Sequence, residues 1–86
     1  MNKNEMWQAI DAELRIAKRK FPHWPDHIVA RAGIVTEEAG ELMKACLEWK
    51  YQRDNSEVVA GAQLDAIKKE AIQTAVVAIR FLENLK

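Results

Sequence analysis

Two prolines three residues apart, Pro22 and Pro25, constrain this chain more than any other feature. Proline has no amide hydrogen and holds φ near about −65°, so no helix runs through Phe21-Pro22-His23-Trp24-Pro25-Asp26. A second break is the polar cluster Arg53-Asp54-Asn55-Ser56, suited to turn and cap roles. Turn formers are otherwise scarce. The 86 residues include only 3 Gly and 2 Pro, and no Asn-Gly or Asp-Gly pair that would start a hairpin. The chain therefore divides into three segments. Each reads as helix, and the expectation is a single all-α domain over residues 1–86, a small helical bundle of three main helices.

Residues 5–20 place Met6, Ile10, Leu14 and Ala17 on one helical stripe, with Asn4 as the expected N-cap. The second helix is expected from about residue 27 to 52 with Asp26 as cap, and the third from about 57 to 85 with Ser56 as cap. At about 100° per residue, Ile28, Ala32, Val35, Ala39, Leu42, Cys46 and Trp49 share one stripe of the second helix, its expected core face. Leu64, Ala71, Ala75, Ala78, Ile79 and Leu82 form the main stripe of the third. Val77 and Phe81 lie on another side of that helix, in line with Glu70 and Thr74. A helix apolar on more than one side is usually enclosed.

Composition narrows the functional classes. Apolar residues make up 49% of the chain, which excludes a disordered tail. The 13 Lys and Arg balance the 13 Asp and Glu, and that argues against a nucleic-acid module working through phosphate contacts. The one cysteine, Cys46, excludes a disulfide scaffold or a cysteine zinc site and fits a reducing compartment. No apolar run approaches the roughly 20 residues of a membrane span, and Met1-Asn2-Lys3-Asn4-Glu5 is too polar for a signal-peptide core. A soluble, cytoplasmic protein without membrane partners is expected. So short a chain buries a thin core alone. The apolar surface around Val76, Val77, Ile79 and Phe81 therefore suggests self-association to a homodimer or homotetramer.

The acidic residues are the candidates for chemistry. Glu37, Glu41 and Glu48 project from nearly the opposite side to the core stripe, and Glu38 lies at its border. A solvated face accounts for such a cluster by itself. Glu70, however, falls on a largely apolar surface, where an unpaired carboxylate costs several kcal/mol. With the second and third helices antiparallel, Glu70 faces Glu37, Glu38 and Glu41. Four repelling carboxylates call for a cation, and an all-oxygen site favours Mg²⁺ or Mn²⁺.

Glu37-Glu38-Ala39-Gly40-Glu41-Leu42 followed by Glu70-Ala71-Ile72-Gln73 resembles the all-α nucleoside triphosphate pyrophosphohydrolases of the MazG-like group. Those proteins carry Glu-x-x-Glu on one helix and Glu-x-x-Asp on a later one. The Trp24-Pro25-Asp26-His27 approach and the closing Ala78-Ile79-Arg80-Phe81-Leu82-Glu83 segment also look like family members, so the likeness runs from about residue 20 to the end. The departure is Gln73, where the family has Asp. The resemblance implies Mg²⁺-dependent cleavage between the α and β phosphates of a nucleoside triphosphate, giving the monophosphate and pyrophosphate. It implies Glu38, Glu41 and Glu70 as metal ligands, with Gln73 as a neutral fourth, and Glu37 as the residue that orients or deprotonates water. Lys44 is a candidate phosphate contact, or simply an ion-pair partner for Glu41 or Glu48. Trp24 either stacks on a base or staples its loop to the core.

Other residues have plainer readings. Trp49 and Cys46 fall on the core stripe, and Trp7 belongs to core or pocket wall. His23 and His27 are four apart, but Pro25 between them breaks the helix a zinc pair would need. Lys18-Arg19-Lys20 complements a helix dipole. Two rival functions stand beside the enzyme: a catalytically inactive assembly or regulatory module of the same fold, and a nucleic-acid binder using Lys18, Arg19 and Lys20.

Overall fold

The computed structural model describes residues 1–52 and 57–85. It contains α1 (Lys3–Lys20), α2 (Ile28–Tyr51) and α3 (Glu57–Glu83), with no strand among the described residues. The all-α, three-helix expectation is met. The Arg53–Ser56 turn and the Ser56 cap lie outside the described residues.

The caps differ from those expected. Asn2, not Asn4, opens α1: its Oδ1 accepts the Glu5 N–H at 2.9 Å, while its Nδ2 donates to the Glu5 carboxylate at 2.6 Å. A cap side chain must reach an amide two or three residues ahead, and Asn4 already lies inside the helix. His27, not Asp26, opens α2. Its Nδ1 accepts the Val29 N–H at 3.2 Å, and its carbonyl takes the first helical bond, from Arg31 N–H at 3.1 Å. The basic run Lys18-Arg19-Lys20 occupies the last turn of α1, where the helix dipole favours cations. Lys18 also pairs with Glu83 at 2.9 Å.

Pairings along the helices fix the topology. Glu13 meets Gln73, Ala17 meets Arg80, and Lys18 meets Glu83, so α1 runs parallel to α3. Glu38 meets Thr74 and Arg31 meets Asn84, so α2 and α3 form an antiparallel hairpin. Among the described residues α3 packs against both other helices, and α1 and α2 do not pack on each other. This is the enclosure that its second apolar side called for. Val76, between the other two, is fully buried, and Ile10 and Ala45 are the other buried apolar side chains among the described residues.

The two stripes read as core from the sequence are covered only in part: Val35, Leu42, Cys46 and Trp49 of α2 and Ala75, Ala78 and Ile79 of α3 are half-buried, and the rest are exposed. On α2 the covered side carries Ile34, Val35, Glu38, Leu42, Ala45 and Trp49, while Ile28, Ala32 and Ala39 are exposed. On α3, Leu64, Ala71 and Leu82 are exposed, and Val76 belongs to the monomer's own core. α2 is turned so that Glu38 sits near the middle of its covered face instead of at a border. Cys46 is half-buried and Trp7 is exposed. No helix of the described residues is long and apolar enough to cross a membrane.

Candidate functional site

The site begins at Thr74. Its hydroxyl reaches the Glu70 carbonyl at 2.8 Å and the Glu38 carbonyl across the seam at 3.2 Å. Serine and threonine commonly return a hydroxyl to the preceding helical turn. Here the same oxygen also fixes α2 against α3 at the level of Glu38 and Glu70. The Glu38 carboxyl is held above its ordinary value, first by burial, then by repulsion from Glu70, Glu37 and Glu41. The other three glutamates marked in the sequence therefore act on Glu38.

They do not share one opening. Glu37 and Glu38 lie on a cavity of about 410 Å³ between the end of α1, the proline loop and the α2–α3 seam. Trp24, Phe21, His23, Ile34 and Val77 supply much of its wall, and Gln73 and Arg80 also line it. Glu41 and Glu70 lie on a shallower groove of about 140 Å³ with Lys44 and Glu48. Lys44 and Trp24, the two expected substrate contacts, are thus in different openings. Among the described residues no group of three or more His, Cys, Asp or Glu is arranged to hold a metal ion. The donor chemistry suits a hard dication, but the side chains as they stand do not converge on one point.

Gln73 is committed elsewhere. Its Nε2 donates to the Glu13 carboxylate of α1 at 2.9 Å. The α1 carboxylate was not marked in the sequence, because nothing in its helical spacing relates Glu13 to a residue 60 positions away.

Arg80 is the other residue that sequence reasoning missed. It is buried, donates to the Phe21 carbonyl at 2.6 Å and the Ala17 carbonyl at 3.4 Å, and lies 5.0 Å from the centre of the Trp24 ring. Burial lowers the guanidinium pKa, and Glu83 works in the opposite sense. Trp24 is therefore stapled to Arg80 while its ring lines the cavity. The one available signal was an arginine inside the apolar run from Ala75 to Leu82. His27 is used as a cap, and His23 lines the cavity.

No family model, curated protein or solved structure matches the chain.

Proposed function

We propose that the chain is a MazG-like, Mg²⁺-dependent nucleotide pyrophosphohydrolase, cytoplasmic and homo-oligomeric, cleaving nucleoside triphosphates to monophosphate and pyrophosphate. The observation that carries this reading is the repulsion of Glu38 by Glu70, Glu37 and Glu41, with Glu37 and Glu38 lining an aromatic-walled cavity of about 410 Å³, within the range of small-molecule sites. Glu38, Glu41 and Glu70 would hold Mg²⁺ (or Mn²⁺), with the Gln73 amide oxygen as a neutral neighbour. The ion supplies charge neutralisation and a water of lowered pKa. Trp24 and His23 flank the base, Lys44 meets a phosphate, and Glu37 orients or deprotonates the attacking water.

The test is pyrophosphate release from a panel of NTPs and dNTPs with Mg²⁺, together with melting. Wild type is expected to release pyrophosphate and to gain about 2.7 kcal/mol of stability at one hundred times the metal's Kd. Glu41→Gln should abolish both. A chain that hydrolyses none of the panel and melts identically with and without Mg²⁺ is the inactive assembly or regulatory module instead. The Gln73–Glu13 hydrogen bond favours that second reading, because it occupies the side chain standing where the family has its Asp.

A further inference from the structure

Arg80 is the one buried polar or charged residue among the described residues, 6% exposed. A guanidinium carries five N–H donors and no acceptor. Two of the five are used, on the Phe21 carbonyl at 2.6 Å and on the Ala17 carbonyl at a long 3.4 Å. The remaining three have no acceptor among the described residues. No carboxylate there stands in ion-pair contact with Arg80 either, and Glu83, one turn further on, gives its Oε2 to Lys18 at 2.9 Å. A buried cation with idle donors is unfavourable unless something brings acceptors to it.

The place of Arg80 in the cavity says what those acceptors belong to. Arg80 lines the cavity of about 410 Å³ together with Trp24, and so do Glu37 and Glu38. Thr74, whose hydroxyl donates to the Glu38 carbonyl, marks the level of Glu38 on α3. Arg80 lies six residues further along that helix, about 9 Å at roughly 1.5 Å per residue. The cavity thus has an acidic end and a cationic end, separated by about the reach of a nucleotide from its phosphate to the far edge of its base. With metal-bound phosphate at the Glu38 end, the base edge faces Arg80.

Bases differ in what they show a guanidinium. Guanine and hypoxanthine place two neighbouring acceptors, O6 and N7, on one edge, and these match the planar fork of arginine. Adenine carries an amino group at position 6, so donor would meet donor in a buried site. Cytosine shows an amino group at its matching position, and uracil and thymine show a single acceptor there. We propose that Arg80 reads the base in this cavity, and that the nucleotide it selects carries a 6-oxopurine. The Trp24 ring, 5.0 Å from the guanidinium carbon, fixes the cation beside the residue that flanks the base. This assignment rests on the nucleotide reading above and adds to it the class of base.

The test is the binding of nucleoside monophosphates, which have no α–β phosphate bond and are not turned over. Calorimetry in Mg²⁺ buffer compares inosine with adenosine monophosphate, two purines of one size that differ at position 6. The inosine and guanosine nucleotides should bind roughly ten- to a hundred-fold tighter than the adenosine nucleotide. Arg80→Lys keeps the charge and loses the fork, and should bring the inosine-to-adenosine ratio close to one. A residue that only staples the loop would weaken both nucleotides alike and leave the ratio unchanged. If the variant does not fold, the wild-type ratio still decides. Equal binding of the two nucleotides by the wild type, or a ratio that survives in folded Arg80→Lys, overturns the assignment. Selective binding of the inosine nucleotide without pyrophosphate release from any triphosphate removes the enzyme reading and leaves the base assignment standing. Pyrophosphate release with equal binding does the reverse, and a chain that binds no nucleotide overturns both.

Discussion

The Arg80 guanidinium lies 5.0 Å from the centre of the Trp24 ring, and the same side chain donates to the Phe21 carbonyl at 2.6 Å. One buried cation thus holds both the last residue before the loop and the aromatic ring within it. A bidentate, planar donor suits this double task, and lysine does not reproduce it. Arg80→Lys should lower stability by roughly 2–4 kcal/mol, from lost hydrogen bonds and lost ring contact. Urea unfolding measures the loss. Unchanged stability would show that the loop is held by other contacts.

Glu38 gives a pH signature with a definite sign. Its folded carboxyl is raised above the ordinary 4.5, chiefly by burial. Below 4.5 the group is protonated in both folded and unfolded chains, and nothing is lost. As pH rises past 4.5 the unfolded chain ionises first. Stability therefore falls until pH exceeds the raised folded value, and stays low above it. Glu38→Gln should melt higher than wild type at pH 7, and the gap should close on acidification towards pH 4. A gap of constant size across that range would refute the assignment.

The Gln73–Glu13 pair bears directly on the choice between enzyme and inactive module. Gln73→Asp breaks a 2.9 Å hydrogen bond and sets a new carboxylate near Glu13. Without metal this should cost roughly 1–3 kcal/mol. If the site binds Mg²⁺, the ion restores the loss. Melting the variant with and without Mg²⁺ distinguishes the cases. A lowered midpoint that ignores the ion favours the inactive module.

The prolines and the apolar spacing were enough to read three helices, because both act locally. Caps were read one or two residues off, at Asn4 and Asp26, since several polar residues compete at each start and only geometry shows which one reaches the amide. The candidate glutamates were legible as one acidic group, and the repulsion of Glu38 by the other three fits it. Their division between two openings was not, since side-chain direction depends on how α2 rolls on α3. That roll was misjudged: periodicity marks Ala32 and Ala39 for burial without saying what buries them. Glu13 and Arg80 were illegible for a related reason. Their partners, Gln73 and the Ala17 and Phe21 carbonyls, lie about 60 residues away.

The lack of packing between α1 and α2 among the described residues sets an order of assembly. α2 and α3 are neighbours in sequence, and their hairpin forms by short loop closure. α1 has no surface to dock on until α3 is in place. Amide protons of α1 should accordingly exchange with solvent sooner than those around Ala45, because α1 can detach from α3 and rebind while the hairpin stays folded.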